Sequence, residues 1–417
     1  MRIDVPNEES AATYCEESRW LWRQRVVAIA APNYALRQFA ALDERLEAHV
    51  DGLRISTSDG WNAAVAALGD GAAEDVFPAT VLAVEAADDR INEVVDRAHT
   101  LPASYPGVIS AFGWVHSKHL VGRVKALIES RSPFHQMLGI AACGVHRRDP
   151  GPVLADLIDS DAPGVRARAL RAAGELGRLD LLPHVVDALS DGKKEARFRA
   201  AWSGVLLGDR SAALRALIEY AVAPGPRQRQ SLHLALQAVA PERGHALLAE
   251  LLSSADTERL RIIGAGYIGS VTAIPSLIDR MSDARYARIA GEAFVNITGA
   301  DVNLDQLESM PPDGFEDGPT DDPADENVEV PEDIALPWLD VARVQAWWAK
   351  HAVRFDPSSR YFLGRPLSPA VCVDVLRSGF QRQRVAAAYH RTVLTPGTPL
   401  FNTSAPAWRQ QQWLERL

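Results

Sequence analysis

"DAPGVRARALRAAGELGRLDLLPHVVDALSD", residues 161–191, sets the architecture of the chain around it. Leu170, Ala173, Gly174 and Leu176 fall at intervals of three and four, which puts them on one face of a helix. Gly177 closes that helix, a short polar turn follows, and "LLPHVVDALSD" starts a second one. One such pair cannot bury its apolar stripe alone, so the segment requires similar pairs stacked against it.

Those neighbours can be read from about residue 131 to 300, where the pattern returns loosely every thirty residues or so. "HQMLGIAACGV", "VRARALRAAGELG", "EARFRAAWSGVLLG", "QSLHLALQAV" and "ERLRIIGAGYIGS" read as first helices. "PVLADLIDSD", "LLPHVVDALSD", "ALRALIEYA", "HALLAELLSS" and "AIPSLIDRMSD" read as the second helices that follow them. Asp161, Asp191 and Asp283 stand at the joints, where their side chains suit helix capping and turns. The sequence therefore predicts an all-α fold: a HEAT-like α-solenoid of stacked antiparallel helix pairs, with helical caps and one long acidic loop. Its expected divisions are an N-terminal helical region (1–130), the repeats (131–300), an acidic Pro-rich loop (301–340) and a C-terminal helical cap of the same solenoid (341–417).

The loop is the chain's strongest compositional break. Residues 301–340 hold fourteen carboxylates and no Lys or Arg in a chain of net charge −10, so the remainder carries +4. Prolines at 311, 312, 319, 323, 331 and 337 keep it from forming a helix, while Phe315, Val328, Val330, Ile334 and Trp338 offer apolar anchors that a free linker does not need. The expectation is a pinned acidic arm. Its natural counterparts are the arginines of "RQRQ" (227–230) and "QRQR" (381–384), with Arg377 and Arg391, which can receive the arm or face an acidic partner.

Several function classes lose support. An acidic balance disfavours a nucleic-acid surface, which rests on clustered cations. No apolar run is long enough to span a bilayer, and the N-terminus lacks the cationic and apolar order of a secretory signal, so a cytoplasmic protein is expected. Cys15, Cys143 and Cys372 are scattered and read as small buried residues. "HSKH" offers His116 and His119 but no third ligand nearby, and "DDPADEN" lacks the calcium-loop order of an EF-hand. No GxSxG, P-loop, HExxH or Rossmann glycine pattern occurs. The chain is accordingly read as non-enzymatic, with no catalytic residue, cofactor or metal. The aromatics crowded near the C-terminus, among them Trp338, Trp347, Trp348, Phe355, Tyr361 and Trp408, are read as packing rather than as a peptide groove.

Longer strings carry a resemblance. "LDERLEAHVDGLRI", "GVISAFGWV", "RFRAAWSGVLLGDRSAAL", "ARIAGEAFVNITGAD", "GPTDDPADENV", "LPWLDVARVQAWWAKH", "RYFLGRPLS", "QRQRVAAAYH" and "APAWRQQQWL" occur in order over residues 35–417. Together with the repeats they resemble a proteobacterial family of HEAT-repeat proteins, of the phycobilisome-lyase-like kind, commonly encoded near type VI secretion genes. The resemblance brings no catalytic residue. It implies a cytoplasmic adaptor or chaperone for a secretion effector or spike protein, with two alternatives: an immunity protein that blocks a cognate toxin, and a lyase-like enzyme on the same scaffold. If second helices line the binding surface, the contact candidates are His184, Asp187, Arg215, Glu219, His245, Glu250 and Asp279. The acidic loop adds Asp313, Glu316, Asp317, Asp321 and Asp322.

Overall fold

The apolar periodicity is realised as helices nearly throughout. The computed structural model describes residues 8–69, 71–86, 88–251, 255–315, 318, 319, 326 and 330–417. Contacts divide the chain into two units, one of residues 1–30, 34–207 and 397–417, the other of residues 31–33 and 208–396.

The first unit begins with α1 (Glu8–Ala28), α2 (Leu36–Ile55), α3 (Thr57–Ala66), α4 (Ala73–Ala86), α5 (Arg90–His99), α6 (Tyr105–Trp114) and α7 (Arg123–Ile128). The repeats follow as α8 (Pro133–His146), α9 (Val153–Ile158), α10 (Pro163–Leu176), α11 (Leu182–Asp187) and α12 (Lys194–Leu206). In the stretch that opened the sequence analysis, Val165, Ala169, Leu170, Ala172 and Ala173 are all fully buried, and they share one core with Ile140 and Cys143 of α8, Leu154 and Ile158 of α9, Val185 of α11 and Ala196 and Ala200 of α12. Small residues let the helices approach closely. A Cβ on Gly174 would meet Ser203 at 2.6 Å, so α10 and α12 touch almost backbone to backbone there. Gly177 ends α10 in the left-handed conformation at φ +69°, as a closing glycine should.

The aspartates at the joints make turns rather than caps. Helices α10 and α12 are preceded by Ala162 and Lys193, which offer no capping side chain. Asp191 accepts from the Lys193 amide at 2.7 Å and Asp283 from the Arg285 amide at 3.1 Å, while at the third joint Ser160 rather than Asp161 accepts from Ala162. A carboxylate two residues ahead of the amide it binds is the geometry of an Asx turn, which competes with N-capping for the same oxygen.

The second unit continues the alternation: α13 (Ala212–Val222), α14 (Gln228–Ala238), α15 (Pro241–Glu250), α16 (Ala255–Ile268), α17 (Ile274–Arg280) and α18 (Ala287–Thr298). Beyond the acidic segment lie α19 (Val341–His351), α20 (Pro369–Ser378) and α21 (Gln381–Leu394). The arm is tied down by β1 (Glu308–Ser309) pairing antiparallel with β2 (Trp338–Leu339), and by the Asp340 amide donating to Leu307 O at 2.8 Å. Residues 360–364 run along the C-terminal ends of three first helices. Arg360 donates to the carbonyls of Leu236, Gln237 and Val239, Tyr361 N to Gly269 O, and Leu363 and Gly364 N to Asn296 and Ile297 O. Those carbonyls are the unpaired ends of α14, α16 and α18, so one strap satisfies three helix termini.

Residues 397–417, expected to close the array, belong with the first unit and end in α22 (Ala407–Leu414). Leu400 N donates to Glu175 O, Asn402 Nδ2 to Val145 O and Ala407 N to Asp43 Oδ2. Arg409 is buried and donates to the carbonyls of Gly113 and Val115. This segment thus does for α6, α8 and α10 what residues 360–364 do for α14, α16 and α18.

Candidate functional site

The second-helix residues expected to contact a partner are dispersed. His184 and Asp187 stand on α11, Arg215 and Glu219 on α13, His245 and Glu250 on α15, and Asp279 on α17. All are at the surface, His245 half-buried and the rest exposed. Several have local partners, among them His184, which faces Asp159 at 3.3 Å, His245, which shares a hydrogen bond with Thr272 at 3.1 Å, and Glu250, which pairs with Arg243 at 2.7 Å. None of the seven lines the cavity described below. Of the acidic-loop residues, Asp313 is exposed, and Glu316, Asp317, Asp321 and Asp322 lie outside the described residues.

The structure gathers a different set on the first helices of the second unit. Helix α14 presents Arg229, His233 and Gln237, and α18 presents Arg288, Glu292 and Asn296, each set at i, i+4 and i+8 and so on one face. Helix α16 adds Arg259 and Tyr267, and α21 adds Arg382 and His390. Arg229, Arg259 and Arg288 stand near the N-terminal ends of their helices, where backbone dipoles add to the positive field.

Into this arginine row the arm inserts Glu332 and Asp333. The Glu332 carboxylate pairs with Arg229 and its carbonyl accepts from Arg382. Asp333 is buried, 3.4 Å from Arg259 and 3.7 Å from Arg288. Arg288 also lies over the Trp338 ring at 5.1 Å, and Phe315 meets Trp338 edge-on at 5.0 Å. Burial works against the Glu332 charge, yet the hydrogen bond and charge of Arg229, backed by Arg382 and Arg259, hold this carboxyl below its usual range.

One arginine of each string, Arg229 of "RQRQ" and Arg382 of "QRQR", does therefore receive the arm, while Arg384 is buried and donates to Leu376 O; the arm's anchors differ from those expected. Val330 and Ile334 are 61% and 48% exposed, whereas Asp333, Leu336 and Leu339 are buried. Phe315 and Trp338 do pack, against each other, and Val328 lies outside the described residues. A fully paired carboxylate is a tighter tether here than a surface isoleucine because it can replace the water that the buried guanidinium of Arg288 gave up. The signal in the sequence was the period rather than any one string: Arg166, Arg197, Arg229, Arg259 and Arg288 recur about thirty residues apart, once per repeat.

Behind the row lies a largely buried polar layer. Arg382 donates to Glu292 at 2.9 Å, and Gln383 to Asn296 at 3.1 Å. His233 stacks on Tyr267 at 3.6 Å and meets Tyr389 edge-on. Burial pushes His233 down to about 3 and His390 well below its usual value, lifts the Tyr267 phenol to about 12 and raises Glu292 against the pull of Arg382. Both imidazoles are thus neutral packing groups. No three His, Cys, Asp or Glu among the described residues converge as a metal site, and the ring of His116 is stacked on Trp408 at 4.3 Å.

Beside the clamp a cavity of about 580 Å³ opens between α18, α21 and the arm. Val295, Val302, Leu336, Leu339, Leu363 and Phe380 give it apolar walls, and Glu292, Asn296, Asp301, Asn303, Glu308 and Gln383 give it polar groups. Phe380 stays 43% exposed. Gly291 lets the arm's wall lie close against α18: a Cβ there would stand 2.9 Å from the end of the Leu339 side chain.

Residues 150–237, from the approach to α9 to the end of α14, match the family model of HEAT repeats. That match supports a HEAT-repeat family and agrees with the all-α stacking of helix pairs. Such repeats are commonly protein-interaction scaffolds, because stacked helix pairs present long continuous surfaces. No match was found among curated proteins. No helix among the described residues is long and apolar enough to cross a membrane.

Proposed function

We propose that the chain is a non-enzymatic protein-binding scaffold that engages its partner on the second unit, where α18, α21 and the arm surround the cavity. The observation that carries this reading is the cavity with Phe380 at its edge: an apolar recess with a few amides and carboxylates, walled on one side by an arm that leaves an aromatic ring in water. Recesses of this size and lining accept an anchoring side chain, and an exposed ring beside one adds contact area at little entropic cost. The polar groups in the layer behind are engaged with one another or shifted away from acid–base use near neutral pH, which favours binding over chemistry.

The resemblance to proteins encoded beside type VI secretion genes directs the finer reading. In it the chain acts in the cytoplasm as an adaptor or chaperone for an effector or spike component before export. Deleting the chain from its host is then expected to stop export of one effector while the cell stays resistant to its own toxins, and Phe380→Ala is expected to reproduce the export defect with normal protein levels. Loss of resistance with export intact would replace this reading by an immunity role.

A further inference from the structure

Glu332 and Asp333 are held in a manner that suits exchange better than permanent closure. The segment between Pro331 and Pro337 is a single turn, closed by Ile334 N donating to Pro331 O and Leu336 N to Asp333 O. Its C-terminal end is fixed independently, by the β1–β2 pairing and by Leu339 against Gly291. Two side chains are buried, Asp333 and Leu336, while Glu332 reaches Arg229 from an exposed position and Ile334 faces water.

The arginines set the rule for what can take the turn's place. Arg288 is only 6% exposed at its side chain and Arg259 34%, so emptying the clamp would take the Asp333 carboxylate away from a guanidinium almost shut off from water. Simple opening is therefore strongly disfavoured. Replacement of one carboxylate pair by another costs no such desolvation, because the guanidinium groups stay paired throughout. The Glu332 pair, with both side chains about half exposed, gives an incoming carboxylate a place to start.

We propose that the arginine row of Arg229, Arg259, Arg288 and Arg382 is a recognition site for an acidic segment of a partner protein, two adjacent carboxylates followed three residues later by leucine, and that residues 332–336 occupy it as an internal competitor. The spacing is that of Glu332, Asp333 and Leu336 themselves. This rests on the scaffold reading and names the chemistry of what the second unit binds. A partner presenting the pattern displaces the turn, frees the wall of the cavity formed by Ala335, Leu336 and Pro337, and so couples charge recognition to the apolar recess. Basic or neutral segments are disfavoured, since they would bring no carboxylate to the place where Asp333 faces buried Arg288.

The test uses the full chain and a labelled peptide copying residues 330–337, "VPEDIALP", followed by fluorescence anisotropy. In E332Q/D333N, where the internal competitor is neutralised, the peptide is expected to bind at least tenfold more tightly than to the unaltered chain, and to weaken as salt is added. Arg229→Glu with Arg382→Glu in that background is expected to abolish binding, and a peptide with Gln and Asn in place of the two acids to fail. Equal binding of acidic and amidated peptides, or no binding to a variant whose far-UV circular dichroism is unchanged, would overturn the proposal. Should the double variant lose its fold, E332Q alone, which alters only the half-exposed pair, takes its place with the same outcomes. A negative result here would leave the export phenotype of Phe380→Ala standing as a separate test of the scaffold reading.

Discussion

The two units place arginine at the same point of the repeat and neutralise it from different sources. In the first unit Arg166 pairs with Asp191 at 2.7 Å and Arg197 donates to Leu189 O, so the partner groups come from the nearby joint between α11 and α12. In the second unit Arg229, Arg259 and Arg288 turn to Glu332 and Asp333, contributed by an arm some fifty to a hundred residues further along. A charge satisfied by a neighbouring joint is part of the framework. One satisfied by a distant turn can change partners, and this is where the two units are expected to part in behaviour.

The returning C-terminal chain shows what permanent attachment looks like. Asp43 of α2 pairs with buried Arg25 at 2.7 Å and takes the Ala407 amide on its other oxygen at 2.7 Å, while Arg25 donates to Ser404 O and lies over Phe39 and Trp114. Asp43→Ala strands a guanidinium with almost no access to water, and the expected loss is about 3–5 kcal/mol in urea unfolding. It is the largest effect anticipated for any substitution named here. A loss below about 1 kcal/mol would mean that the first unit's tail is held as lightly as the arm.

Acid should separate the units next. Burial lowers His146 of the first unit to about 4, and His233 and His390 of the second to about 3 and well below the usual value. Each is neutral when folded and takes a proton near pH 6.5 when unfolded, so the unfolded chain binds more protons and stability falls as pH drops below 6.5. The cost is about 1.4 kcal/mol per pH unit per histidine until the folded value is reached. Glu292 opposes this in the second unit: burial raises its carboxyl, so it gains a proton earlier when folded than when unfolded. The more exposed His116 and His245, also lowered chiefly by burial, contribute one to each unit and less. Hydrogen exchange followed from pH 7 downward should therefore show α14 and α21 losing protection faster than α6 and α8, most clearly just below pH 6.5. Equal slopes would show that Glu292 cancels one imidazole over the whole range.

What the sequence made readable follows from the range of each interaction. Helix pairing is local and periodic, so "VRARALRAAGELG" and "LLPHVVDALSD" announced their buried faces, and Gly177 its left-handed turn. Asp191 and Asp283 were placed at the joints with capping and turn formation both open, and the turn is what they make; an Asx turn and an N-cap use the same residue types at almost the same position, so sequence alone could not choose. The arm's attachment was readable in kind and not in detail. Hydrophobicity pointed to Val330 and Ile334, which are exposed, while burial of Asp333 depends on arginines supplied by two helices that no short window contains. Asp43 and Ala407 are 364 residues apart and carry no local sign of each other. The arginine period was in the sequence throughout, hidden because arginine reads as a solvated face unless its counter-charge is known.

The smallest expected effect decides between a framework and an exchangeable arm. Glu332 pairs with Arg229 in a half-exposed setting, where an ion pair contributes about 0.2–1 kcal/mol, so E332Q should barely move the urea midpoint. Its local consequence is larger than its global one. The arm's turn, closed by the Ile334 and Leu336 amides, should exchange hydrogen faster in E332Q while α14, α16 and α18 keep their protection. The unaltered chain should imitate the variant only in acid. Because Arg229 and its neighbours hold the Glu332 carboxyl below its usual range, its contribution is complete above about pH 4.5 and disappears as pH falls through the lower folded value. If E332Q instead destabilised the second unit as strongly as Asp43→Ala destabilises the first, the turn would be framework, and both units would hold their distant segments in the same way.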